Sequence, residues 1–193
     1  MNENIYSTSK EFCETLVCRK LLKEIGWQGK RGPKRKLSIE NIIVLNVFRF
    51  IFHIKDLKMI HRIAKEFKFV PDMPNYENFT KATNLSLEVI ELFLSYLLFR
   101  NRQRNKSGLH YMDSTPLPVC LDRRISEHKV TKGVASRGKS TKGWFYGFKL
   151  HGICSSEGFL EAILITDGGV HDSSVVKELT DGMNGFFLPM LDI

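Results

Sequence analysis

Apolar residues recur at helical spacing through most of the first hundred positions and alternate with polar ones through much of the remainder. Phe12, Leu16, Cys18, Leu21, Leu22 and Ile25 share one face of residues 1–27, which predicts a single amphipathic helix stopped by Gly26. A second helix, capped by Ser38, is expected to run to about His53; it is apolar on nearly every side and reads as the centre of a bundle. The next, at about 55–67, carries Leu57, Ile60, Ile63, Ala64 and Phe67 on one face and Lys55, Lys58, Arg62, Lys65 and Lys68 on the others. Pro71 and Pro74 force a turn, and 75–83 suits a short helix. Ser86 is expected to cap the last helix, whose period, set by Leu87, Ile90, Phe93, Leu94, Leu97 and Leu98, persists to Phe99.

Strand patterns then take over. Leu109, Tyr111 and Met112 suit a strand that delivers Asp113 at its end, because Pro116 and Pro118 lack the donors a ladder needs. Residues 121–141 hold few large apolar side chains and read as a long exposed loop. Trp144 to Ser155 alternates, with Phe145, Gly147, Lys149, His151 and Ile153 on one side and Tyr146, Phe148, Leu150, Gly152 and Cys154 on the other. A turn at Glu157 and Gly158 leads into a second strand over 159–166, which makes a β-hairpin. Asp172 is expected to cap a helix through Ser173, Val175, Val176, Leu179 and Met183, ended by Gly182 or Gly185, before an apolar strand from Phe186 to Ile193. The fold class is therefore α followed by α/β, with a helical region over 1–107 and a strand-rich domain over 108–193.

Charge changes this picture by separating the halves. The chain of 193 residues has 29 Lys plus Arg against 21 Asp plus Glu, a net of +8. Residues 1–106 hold 20 basic and 11 acidic side chains and 107–193 hold 9 and 10, so the excess that suits a polyanion lies in the first half. The run GKRGPKRK at 29–36 places Lys30, Arg31, Lys34, Arg35 and Lys36 where they would seek phosphates or form a solvated charge run. The helices at 55–67 and 75–83 suggest a helix-turn-helix relative touching DNA, although the turn is long; plain bundle packing is the alternative. The four cysteines form no CxxC pair, the N-terminus has no leader pattern, and the longest apolar stretch is too short and too polar to span a membrane. A cytoplasmic protein without a membrane role is expected.

Candidate chemistry rests on carboxylates. A crossover helix normally returns the chain to a parallel strand of the same sheet, so the strand leading to Asp192 is expected beside the strand leading to Asp113. Two such carboxylates can share Mg²⁺ or Mn²⁺ in an arrangement suited to in-line phosphodiester displacement. Asp167 reads as a turn residue and Asp172 as an N-cap, which leaves Asp192 ahead as the partner, and Glu157, Glu161 and Glu178 read as surface charges. Gly133 to Ser140 fits the pattern of a nucleotide-binding P-loop, but no hydrophobic strand precedes it and a strand, not a helix, follows. Arg123, Arg124, Lys129, Arg137, Lys139 and Lys142 are better read as holding DNA phosphates, since residues 121–149 contain eight basic and two acidic side chains. Lys149 and His151 share a strand face and either point at substrate or form ordinary strand hydrogen bonds. Trp144, Phe145, Tyr146 and Phe148 read as core.

Asp-Ser-Thr-Pro at 113–116, Gly-Lys-Ser at 138–140, Gly-Trp-Phe-Tyr-Gly-Phe-Lys-Leu-His at 143–151, Thr-Asp-Gly-Gly-Val-His-Asp at 166–172 and Leu-Asp at 191–192 together resemble bacterial insertion-sequence transposases of the DDE type. The resemblance implies an RNase H-like catalytic domain behind a helical DNA-binding region, with Asp113 and Asp192 as the first and second metal-binding acids. It implies metal-dependent cleavage and strand transfer on double-stranded DNA at transposon ends. In that family a Gly-Tyr pair follows the second Asp and a Glu comes on a later helix, whereas this sequence ends at Ile193. The expectation is therefore a chain shortened after its fourth strand, inactive for want of the third acid. The alternative is a non-enzymatic DNA-binding remnant that occupies transposon ends or pairs with full-length transposase; homo-oligomers are equally compatible.

Overall fold

The structure is a computed structural model that describes residues 2–27, 35–141 and 143–189. Two compact units divide the chain between Tyr96 and Leu97. The first contains α1 (Asn2–Glu14), α2 (Leu16–Glu24), α3 (Ile39–Ile51), α4 (Leu57–Glu66), α5 (Tyr76–Leu85) and the start of α6 (Leu87–Arg104). The expected single N-terminal helix is two. Thr15 donates its hydroxyl to the Phe12 carbonyl and accepts the Cys18 amide, so one side chain closes α1 and caps α2. The break shifts the helical phase and leaves Leu16 exposed, while Phe12 and Cys18 stay buried. Gly26, at φ +64°, ends the run as expected: its amide reaches the Lys23 carbonyl and that of Trp27 reaches Leu22, the paired bonds of a Schellman cap.

Ser38 caps α3 through the Asn41 amide, and Ile39, Ile42, Ile43 and Leu45 are buried. The end of α3 departs from the expected buried centre, since Phe50, Ile51 and Phe52 are exposed. Ile60 and Ala64 of α4, Phe79 and Ala82 of α5, and Val89 and Phe93 of α6 complete the core, with the Phe12 and Phe93 rings 5.2 Å apart. Ser86 does not cap α6 with its side chain. It ends α5, and its hydroxyl donates back to the Thr83 carbonyl. The helix that follows runs to Arg104, and its last turns belong with the second unit: Asn101 and Arg102 donate to the carbonyls of Leu160 and Glu161, each at 2.8 Å. Among the described residues no single helix is long and apolar enough to cross a membrane.

The second unit is a five-stranded sheet with one helix. Its strands are β1 (Leu109–Cys120), β2 (Ser136–Ser140), β3 (Gly143–Ser155), β4 (Leu160–Asp167) and β5 (Phe186–Pro189), with α7 (Asp172–Leu179) between the last two. β3 and β4 form the expected hairpin, β1 runs antiparallel to β3, and β5 pairs parallel with β1 from Leu109↔Phe186 to Met112↔Pro189. Only a crossover such as α7 can join β4 to a parallel neighbour of β1. Ile153, Ala162, Val175 and Leu179 form the buried core beneath α7, joined by Met112 and Phe187. Asp113, Thr115 and Leu117 alternate onto the exposed side.

Three expectations are corrected here. Asp113 lies inside β1 rather than at its end, because Pro116 and Pro118 extend the strand where the β5 pairing has stopped and one edge no longer needs donors. The region 121–141 is not all loop: after a 3-10 turn at Asp122–Arg124, the polar residues of β2 pair with β3 in an antiparallel ladder. Glu161 is not a surface charge. It is fully buried, with Oε2 2.6 Å from Nδ1 of His110, whose Nε2 lies 3.2 Å from the Asn184 carbonyl and whose ring stacks on Phe187 at 4.7 Å.

Gly147 stands opposite Pro118, next to the register shift in β1, and a Cβ there would lie 2.1 Å from the Leu117 carbonyl oxygen. Gly147→Ala must displace backbone, so a loss of about 1–3 kcal/mol is expected, of the size seen for overpacking. Thermal unfolding of the two proteins checks this: an unchanged midpoint would contradict the close approach.

Candidate active site

Ser114, immediately after Asp113, pairs with His151 across the β1–β3 ladder, so their side chains share a face. Lys149 and His151 project from β3 on that same face, and α7 brings Asp172 over them. Lys149 Nζ donates to Oδ1 of Asp172 at 3.1 Å and to the Val170 carbonyl at 3.0 Å. His151 Nδ1 lies 3.4 Å from the same carboxylate oxygen, and Nε2 lies 2.9 Å from the Thr166 hydroxyl. Ser114 lines the same cleft as Asp172 and helps to hold its carboxyl low. Asp113 and Asp172 both line one cleft of about 410 Å³, together with Ser114, His151, Phe187 and Pro189.

This geometry corrects the reading of Asp172 as an N-cap. His171 occupies the cap position and makes no side-chain cap bond, while Asp172 is the first helical residue and turns its carboxylate to the sheet. Burial works to raise the Asp172 carboxyl, but Lys149 and Ser114, with His151, outweigh it and hold the group below its ordinary value. Burial and the Lys149 charge push the His151 imidazole down against the pull of Asp172. The signal in the sequence was the shared face of Lys149 and His151; their acidic partner lay 23 residues away from Lys149 and could not be read from local pattern. Asp167 closes the turn as expected, accepting the Ser136 hydroxyl and the Gly169 amide.

Asp113 is exposed, and its Oδ1 accepts the amide of Ser114 at 2.7 Å. It makes no ion pair among the described residues. The other expected site residues are dispersed. Arg123, Arg124 and Lys129 are exposed around the 3-10 turn, and Arg137 and Lys139 are exposed on β2, with Lys139 5.9 Å over the Trp144 ring. Trp144 is itself exposed rather than core, whereas Phe145 and Tyr146 are buried. Lys149 and His151 are buried, 9% and 2% exposed, and are engaged within the unit instead of being presented to a polyanion. Arg35 donates to the Trp27 carbonyl and stacks on its ring, and Lys36 is exposed. Lys30, Arg31, Lys34, Lys142 and Asp192 lie outside the described residues.

Residues 103–189 match a family model described as a transposase DDE domain. This segment is a DDE-type transposase domain. No curated protein and no solved structure matches the chain. DDE transposases generally use a divalent metal, and the exposed Asp113 carboxylate is a donor that suits one. Among the described residues of the DDE domain no three His, Cys, Asp or Glu groups converge to hold an ion, and Asp172 is already neutralised by Lys149.

The lowered His151 and Asp172 values give the DDE domain an acid sensitivity with a defined sign. A histidine held below its ordinary value of 6.5 binds a proton more readily when unfolded, so its contribution is present above pH 6.5 and is lost as pH falls through the folded value. Asp172 adds a second loss at lower pH, below its ordinary value of 3.8. Thermal midpoints measured between pH 8 and 5 are expected to fall below about pH 6.5, and His151→Gln should flatten that part of the curve; an unaltered pH profile in the variant would contradict the assignment.

Proposed function

We propose that the chain is a transposase fragment whose intact family chemistry is metal-dependent cleavage and strand transfer of double-stranded DNA at insertion-sequence ends, carried by an RNase H-like DDE domain. The observation that carries this reading is the parallel pairing of β5 with β1, in register through Met112↔Pro189, one residue before Asp113. Asp192 follows Pro189 by three residues in the sequence. The sheet order β4–β3–β1–β5, with α7 as crossover, supports the RNase H-like assignment.

In this reading Asp113 and Asp192 hold Mg²⁺ or Mn²⁺. A divalent metal held there would supply activation of water or a 3′-hydroxyl and stabilisation of the leaving oxygen of the phosphodiester. Asp113 is suited to its part by exposure and by a fixed orientation, since the Ser114 amide holds one carboxylate oxygen and leaves the other open. Asp172 keeps the Lys149 and His151 side chains inside the unit, so that neither competes for Asp113. Arg123, Arg124, Lys129, Arg137 and Lys139 are exposed and supply positive charge for the DNA backbone. The helical first unit serves as a DNA-binding region, and the active species is an assembly on paired transposon ends.

Incubating the purified chain with supercoiled DNA and Mg²⁺ or Mn²⁺ tests this directly. Nicking that needs the metal and falls at least about a hundredfold in Asp113→Asn is expected for loss of a metal-site ligand. Metal-independent binding with no cleavage would contradict the enzymatic reading.

A further inference from the structure

Beyond the catalytic cleft, the first unit carries a groove of about 470 Å³ lined by Lys58, His61, Arg62, Lys65, Glu66 and Tyr76. Lys58, Arg62 and Lys65 are spaced i, i+4 and i+7 on α4 and so fall on one face of the helix. All three are exposed, and among the described residues none of their side chains is held in an ion pair. By contrast the exposed Lys81 of α5 is paired with Glu77 at 2.6 Å. The wall across from the stripe is rigid: His61 lies 2.8 Å from the Pro74 carbonyl and packs against Tyr76 and Phe79 at 5.6 and 5.4 Å. That bond fixes the long turn between α4 and α5 against α4, and it sets Tyr76 at the rim of the groove. Among the described residues Glu66 is the single acid lining it.

We infer that this α4 stripe is a docking surface for the phosphate backbone of double-stranded DNA, with Lys58, Arg62 and Lys65 each meeting a phosphate and Tyr76 flanking the strand. The stripe spans about 10 Å of helix axis at ~1.5 Å per residue, a length over which one DNA strand presents about three phosphates at ~3.4 Å of axial rise. Exposed cations without acidic partners keep their full attraction for such a backbone, and a fixed groove wall avoids an ordering cost on binding. Contacts of this kind position a protein on the duplex and carry no sequence information.

The choice of DNA over another polyanion rests on the transposase reading, and the test separates the two. Binding of the full chain to a fluorescent DNA duplex is followed by anisotropy in EDTA over a range of salt, in an Asp113→Asn background, so that absence of cleavage leaves the result intact. Replacing Lys58, Arg62 and Lys65 together by Ala is expected to weaken binding about tenfold or more and to reduce the slope of log K against log salt by about 2 to 3, near 0.9 for each phosphate that is no longer neutralised. The charge-preserving set Lys58→Arg, Arg62→Lys and Lys65→Arg should retain the slope, and Lys81→Ala should leave it unchanged. If the triple Ala protein melts early, the three single Ala variants, each lowering the slope by about 1, decide the question in the same way. An unchanged affinity and slope in folded Ala variants, or tighter binding to an RNA duplex than to DNA, would overturn the inference.

Discussion

Four residue pairs, Leu109↔Phe186 to Met112↔Pro189, decide what the second unit can do, because among the described residues they are the only parallel pairing in its sheet. A parallel neighbour requires a crossover, the crossover is α7, and α7 in turn covers the apolar face of the sheet with Val175 and Leu179. The same helix delivers Asp172 to Lys149 and His151. Moving β5 away would therefore uncover the core, unpair a buried lysine and separate the strand of Asp113 from the segment that leads to Asp192.

What fixes β5 there is partly polar. His110 on β1 bonds to Glu161 on β4 and faces the Asn184 carbonyl just before β5, while its ring stacks on Phe187 within β5. This cluster joins three elements across the sheet at a point where none of them can slide without breaking a buried bond. Glu161 Oε1 has no partner among the described residues, so the carboxylate is only half satisfied. A half-satisfied buried group is costly to keep and costlier to strip of its partner, about 3–5 kcal/mol where a buried pair is broken.

Periodicity carried much of the fold into the sequence. The apolar spacing of Ile39, Ile42 and Ile43, and of Ile60 and Ala64, marks real buried faces, and the alternation of Phe145, Lys149, His151 and Ile153 marks the buried face of β3. The parallel return of β5 was legible from strand, helix, strand order alone. What was hidden depends on single hydrogen bonds or distant partners. Thr15 breaks a helix with no Gly or Pro to announce it, and Ser136 to Ser140 forms a strand with no apolar alternation to mark it, held by its ladder to β3 and by the Ser136 bond to Asp167. Asp172 and Glu161 sit in patterns typical of a cap and a surface charge, and only Lys149 and His110, 23 and 51 residues away, show otherwise.

On the proposed reading Asp113 shares its metal with Asp192 and not with Asp172, whose charge Lys149 already neutralises. Titrating Mn²⁺ into the protein and counting bound ions from the electron paramagnetic resonance signal tests this pairing without any DNA. Asp113→Asn and Asp192→Asn should each abolish the tightly bound Mn²⁺, while Asp172→Asn should retain it. Loss of the ion in Asp172→Asn with binding preserved in Asp192→Asn would contradict the pairing.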